Sequence, residues 1–253
     1  MPKLKIVIAA GILTAAAPLL TAARDAATSD YLHDIVRKGK TIGTHQIAFS
    51  EDDGALVVDI AIKMKVKIAF ITVFRYEHSN REIWRDGRLQ SIRTRTNDNG
   101  KKYDVEGVRL DDRFEVTVNG TTLSHNRDIV PSTYWNPALL DQAELLNTQT
   151  GKAMAVTISE LGLDTVRTPA GETAAHRYRI EEIGPIDLWY DAAGCFLKLS
   201  FQASRRGEGS WIDYEPVALF DPAANAALAD QPLLAQCYGD GRKHVAADGS
   251  RGG

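Results

Sequence analysis

The sequence predicts an all-β fold, an antiparallel meander closed or curled into a barrel or half-barrel, with a short helix and a C-terminal tail. From Tyr31 onward, short runs of apolar residues alternate with polar ones, and period-two alternation marks strands with one buried face. The runs are broken by Gly, Asp and Asn, with Asp86-Gly87, Asn99-Gly100 and Asn119-Gly120 placed as tight hairpin turns. Helical periodicity is scarce and no repeat of fixed period occurs. A two-sheet sandwich is the alternative, but strands joined one after the next favour the barrel.

In chain order, residues 31–37 and 41–50 form the first hairpin, closed by the turn Lys38 to Lys40, and Glu51-Asp52-Asp53-Gly54 leads on. The longest alternation follows. Val58, Ile60, Ile62, Met64, Val66, Ile68 and Phe70 share one side, and Asp59, Lys63, Lys65 and Lys67 the other. A single strand over 56–75 would exceed about 60 Å at ~3.3 Å per residue, so a bend or turn is expected near Lys65 to Ala69.

The hairpin turns then set a register. Trp84 faces Leu89, Glu82 faces Ser91, Arg95 faces Asp104 and Arg93 faces Glu106, which gathers the charges on one face as matched pairs. Ile83, Ile92, Thr94, Tyr103 and Val105 take the other, joined by Phe114, Val116 and Val118, with Leu123 opposite Val116. A turn at Ser79-Asn80 would keep Phe74, Tyr76 and His78 on the apolar face, leave Arg75 and Glu77 outside, and set Arg75 over Trp84. Residues 124–151, with Pro131 and the cluster Tyr134-Trp135-Asn136-Pro137, break the pattern. They predict a rim or lid element with a short helix over 138–146. Strands resume at 152–159, 174–181, 186–190, 195–201 and 211–217, with Leu188 near Leu197 and Asp187 near Lys198. An Ala-rich helix over 221–237 and a disordered end at 239–253 complete the expectation.

The N-terminus orders Lys3 and Lys5, an apolar run over 6–20, then Thr21, Ala22 and Ala23, as a secretory signal peptide does. The run is shorter than the roughly 20 residues of a membrane span. The expected organisation is a signal peptide at 1–23, one β-barrel-like domain at 24–220 and a partly disordered tail at 221–253. Cleavage would give a periplasmic protein without a membrane span. It would remove two of the 30 basic residues and none of the 33 acidic ones, leaving a formal net charge of −5. Such a balance argues against nucleic acid as a partner. In an oxidising compartment the only two cysteines, Cys195 and Cys237, are a candidate disulfide.

Several stretches together resemble a bacterial exported family catalogued as domain of unknown function 6134. They are IGTHQIAF (42–49), YEHSNREIWRDGRL (76–89), RTNDNG (95–100), YWN (134–136), LLNTQTG (145–151) and IDLWYDAAGCFLKLSF (186–201). The chain is also similar to a larger family numbered 3108. The resemblance spans roughly 31–216 and implies an exported, barrel-like β protein, with no reaction to carry over.

Chemistry-bearing residues are few. His45, His78 and His176 each share parity with apolar neighbours, and three imidazoles converging inside a barrel could hold zinc. No HxH or HExxH spacing accompanies them, and a histidine among apolar residues is more often a satisfied core or rim residue. The charged group around Arg93 and Glu106 reads as a solvated ladder, each pair worth about 0 to 1 kcal/mol. GxSxG and glycine-rich phosphate loops are absent. Trp189 and Trp211 are plain core aromatics or mouth residues.

The ligand-binding candidates are therefore His45, Tyr76, His78, Tyr134, Trp135 and His176, with no catalytic residue, metal ligand or cofactor assigned. The leading expectation is a hydrophobic or amphipathic small molecule held in the interior. The alternatives are a metal- or His-dependent hydrolase or lyase, and a structural or partner-binding envelope protein.

Overall fold

The computed structural model describes residues 30–68, 70–182, 184–205 and 208–238. The expected signal peptide (1–23) and disordered end (239–253) lie outside the described residues. Eight strands run in order: β1 (Tyr31–Arg37), β2 (Lys40–Asp52), β3 (Ala55–Ile68), β4 (Ile71–Arg85), β5 (Arg88–Asp98), β6 (Lys101–Arg109), β7 (Phe114–Val118) and β8 (Thr121–His125). Three short strands follow, β9 (Val130–Pro131), β10 (Glu144–Leu146) and β11 (Ala153–Ala155), paired with one another as a small separate sheet. The chain then returns to the main sheet through β12 (Ile158–Thr168), β13 (Gly171–Ile180), β14 (Ile186–Tyr190), β15 (Phe196–Arg205) and β16 (Glu208–Ala218).

The main sheet is an antiparallel meander of 13 strands in which β16 pairs with β1. Its two edges are β12 and β8, which do not pair, so the sheet curls without closing into a barrel. The curl follows from burial: Ile47, Phe49, Leu56 and Val116 from one half share a single core with Leu188, Phe196, Leu199 and Tyr214 from the other. Hairpin geometry follows the turn residues, for Asp86, Gly87, Asn99 and Gly100 all adopt positive φ, as type I′ turns require. Arg93 faces Glu106 and Arg95 faces Asp104, with ion pairs of 2.9 and 3.6 Å on the solvent side.

Other parts of the expected register are corrected. β4 is one continuous strand with no turn at Ser79-Asn80, and a bulge displaces its pairing with β5 between Ile83 and Trp84. The extra residue on β5, Gln90, sets Glu82 opposite Ile92 rather than Ser91. One added residue exchanges the two faces of everything beyond it. Glu82 and Trp84 are consequently buried, Ile83 is turned outward and half-buried, and no Arg75–Trp84 contact forms. A second bulge, in β15, sets Trp189 opposite Lys198 and Tyr190 opposite Phe196, so that Leu188 meets Leu199 and Asp187 meets Ser200. Trp189 thereby joins Val166, Ala175 and Leu197 in a small cluster separate from the main core.

Residues 126–157 leave one edge strand and enter the other, crossing the inside of the curl as a strap. Instead of a helix over 138–146 the strap carries a 3-10 turn (Pro137–Asp141), capped by the Asn136 side chain, and then β10. Trp135, Leu139, Leu145 and Leu146 bury against the sheet's inner face, so the deep half of the interior is filled. Gly151 makes that approach feasible. Its φ is +67°, and a Cβ there would lie 2.3 Å from a Val118 methyl.

The tail is likewise not one long helix. A 3-10 turn (Ala226–Leu228) and a helical turn (Ala235–Tyr238) bring Leu228 and Leu234 into the main core. A disulfide joins Cys195 to Cys237 across a separation of 42 residues. Loop closure of that size stabilises by about 2–4 kcal/mol through the unfolded chain. Substituting both cysteines with serine should lower the urea midpoint accordingly, and an unchanged midpoint would show the tail to be energetically idle.

Candidate functional site

The polar side chains of the inner face form a row across six strands. His33 on β1 pairs with His45 on β2, His45 with Ile62 on β3, Ile62 with His78 on β4, His78 with Thr96 on β5, and Thr96 with Tyr103 on β6. Antiparallel pairing with inward parity makes such neighbours touch. The His33 and His45 rings stack with centroids 5.5 Å apart, Tyr214 of β16 meets His45 edge-on at 5.3 Å, and Tyr76 stacks on His78 at 6.2 Å.

The three imidazoles are buried, and burial disfavours their charged form. His33 and His78 are each pushed down to about 4, and His45 falls well below the usual value through burial and its neighbours His33 and His78. All three are neutral at pH 7. The Nε2 of His33 donates to the carbonyl of Leu197 at 2.9 Å, and Nδ1 of His78 bonds the Thr96 hydroxyl at 2.8 Å. The buried Nδ1 atoms of His33 and His45 have no partner. His45 makes no side-chain hydrogen bond through either nitrogen among the described residues, although its ring carries one donor and one acceptor.

Phenols surround this row. Tyr76, Tyr134, Tyr190 and Tyr214 are raised above the ordinary tyrosine value by burial, and Tyr76 and Tyr134 add to the effect on Tyr214. Tyr76 donates to Gln149 Oε1 at 3.1 Å and Tyr190 to the Tyr134 carbonyl at 2.6 Å. Tyr134 holds the left-handed conformation, φ 65°, which is uncommon for a bulky residue and is kept only where the surroundings enforce it. Beside the row lie the partly buried apolar side chains of Ile42, Phe201 and Tyr178, and Ile62 sits within it between His45 and His78.

Deeper in, Glu82 is completely buried and fixes the strap. Its oxygens accept from Asn80 Nδ2 at 2.8 Å, Trp84 Nε1 at 2.9 Å and Trp135 Nε1 at 3.1 Å. Burial raises its carboxyl above the usual range, and the donors, Thr133 among them, partly offset the rise.

The structure thus brings His45, Tyr76 and His78 together, with Tyr134 on the strap above them. Trp135 is a core brace, edge-on to Phe49 and Trp84 at 5.3 and 5.7 Å. His176 stands apart on β13 with its side chain 40 % exposed, 2.7 Å from Glu160; its neighbour on the edge strand β12 is the exposed Leu163, which leaves it uncovered despite its apolar neighbours in sequence. His33 and Tyr214 complete the row and were not singled out from the sequence. Both have the parity that should reveal them, alternating with Tyr31 and Ile35, and with Ile212, respectively. Among the described residues no three His, Cys, Asp or Glu side chains are grouped so as to hold a metal ion.

A family model described as a domain of unknown function, DUF6134, matches residues 33–217. The chain belongs to the DUF6134 family. The match begins at His33 and ends within β16, so it takes in the whole main sheet of this DUF6134 domain except its first two residues and last one. No curated protein matches the chain. No helix among the described residues is long and apolar enough to cross a membrane.

Proposed function

We propose that this DUF6134 protein is exported to the periplasm and holds an amphipathic small molecule against the inner face, its polar group at the His45–His78–Tyr214 row and its apolar part toward Ile42 and Phe201. The observation carrying this reading is His45, an imidazole 3 % exposed with no side-chain hydrogen bond among the described residues. A buried polar group left unmade costs about 1–3 kcal/mol. A ligand donor or acceptor that satisfied it would recover that loss, whereas a structural core position would be filled at no such cost by Phe or Leu. Export is supported by the order of charge, apolar run and small residues before Arg24, and by a disulfide, which persists in oxidising compartments.

Native mass spectrometry of the purified protein, followed by titration with a fluorescent fatty acid, tests the binding reading. Wild type should bind, and His45→Phe should weaken binding roughly tenfold, the loss of one hydrogen bond to a buried partner. Absence of binding, or equal affinity in the variant, would overturn it. An N-terminal sequence beginning at Arg24 in the exported protein is expected if residues 1–23 are removed.

A further inference from the structure

The β3–β4 hairpin stands free of the sheet. Pairing of β2 with β3 ends at Gly43–Met64, and pairing of β5 with β4 ends at Asp98–Tyr76 with one further bond from the Asn99 N–H to the Arg75 carbonyl, so among the described residues the ribbon beyond Met64 and Arg75 has backbone bonds only to itself. Four residues of β3, about 13 Å of strand, project beyond its neighbours. A two-stranded ribbon is marginal in water, and this one ends in Phe70, 100 % exposed, and Ile71, 70 % exposed.

Basic charge gathers on the same hairpin, although the β13–β14 turn at this end of the sheet carries Glu181 and Glu182. Counting Lys63 to Glu77, the hairpin has four basic residues and one acidic residue, in a chain whose formal net charge is −3. The adjacent turns at this end bring Lys38 and Lys40, and Lys101 and Lys102. Lys38, Lys40, Lys65 and Lys67 form no ion pair among the described residues. At the opposite end the turns bring Asp52, Asp53, Asp86, Asp111, Asp112 and Asp191, of which Asp53 and Asp112 are paired with Arg85 and Arg113.

An apolar tip flanked by unpaired lysines matches the interface of an anionic bilayer, where aromatic and aliphatic side chains enter the headgroup boundary and cations meet lipid phosphates. We infer that the protein docks on an anionic phospholipid surface through the β3–β4 hairpin, with Phe70 and Ile71 inserted and Lys65 and Lys67 at the headgroups. A chain of net negative charge would bind in the one orientation that presents this basic hairpin to the surface.

Vesicle co-sedimentation of the mature chain decides it, with phosphatidylcholine alone compared against phosphatidylcholine containing phosphatidylglycerol. Binding is expected only to the anionic vesicles, weakening as salt rises. Phe70→Asp/Ile71→Asp and Lys65→Glu/Lys67→Glu should each reduce partitioning roughly tenfold or more, while thermal midpoints stay at the wild-type value because these side chains project into solvent. In Phe70→Trp, the indole emission should shift to the blue on adding anionic vesicles. Equal binding by the Asp variant, no preference for anionic vesicles, or an unshifted emission would each overturn the inference. His45→Phe should bind vesicles as wild type does, which separates this docking from whatever the inner face holds.

Discussion

Acidification from pH 7 to about 4 is expected to remove several kcal/mol of folding stability, because imidazoles held neutral inside must take up protons once the chain unfolds. His33 and His78 fall from the ordinary value of 6.5 to about 4 in the fold. Between those two values the unfolded chain binds more protons than the folded one, so stability falls with falling pH. It is complete above 6.5, declines through the window and levels off below about 4. Each of the two contributes about 3 kcal/mol at the bottom of the window, and His45 acts in the same direction. Glu82 and Asp59 oppose them: their carboxyls are raised in the fold by burial, so they favour the folded state as pH falls, whereas the lowered carboxyls of Asp164 and Asp187 add to the loss. Urea unfolding at a series of pH values checks the slope. His45→Phe should flatten it, and a stability that stays level or rises toward pH 4 would show that the row is solvated.

Trp135→Ala is expected to cost about 3–5 kcal/mol, the range for deleting a large buried aromatic ring. Trp135 is 3 % exposed and packs edge-on against both Phe49 and Trp84. Its loss opens a cavity where strap and sheet meet and leaves Glu82 Oε2 with one donor fewer. Trp135→Phe isolates the second effect, since the ring remains while the N–H is lost, and should cost about 1–3 kcal/mol. Combining Trp135→Phe with Glu82→Met should give less than the sum of the single effects, because both remove the same bond. Additive losses in denaturant midpoints would mean that the indole and the carboxylate act independently.

The meander was legible because its turns announce themselves. Asp86-Gly87 and Asn99-Gly100 both take the positive φ that the dipeptides suggest, and the charge pairs Arg93–Glu106 and Arg95–Asp104 followed from them. The bulges were not legible. Nothing in the composition of residues 88–92 marks Gln90 as an extra residue, yet its presence decides that Glu82 and Trp84 face inward. Glu82 reads as one more solvent charge, and its burial is made tolerable by Asn80 and Trp84 on its own strand together with distant partners on the strap. Half of the polar row could be read from parity, through His45, Tyr76 and His78. His33 and Tyr214 carry the same inward parity, but the placing of Tyr214 beside His45 depends on β16 returning to pair with β1, a contact between the two ends of the domain. Openness of the sheet is likewise a long-range property, set by whether β8 reaches β12 and not by any local pattern.

That open seam has a mechanical consequence. A closed barrel can widen only by breaking ladder hydrogen bonds or shearing its strands past one another, whereas a curled sheet with free edges can change curvature through the twist between neighbouring strands. The polar bonds between strap and sheet here are made by side chains, among them Trp135 to Glu82, the Thr94 hydroxyl to the Thr148 carbonyl at 2.6 Å, Tyr76 to Gln149, Gln149 to Asp98, and Tyr190 to the Tyr134 carbonyl. The sheet thus behaves as a leaf spring held by side-chain clips, and the polar row lies within reach of them.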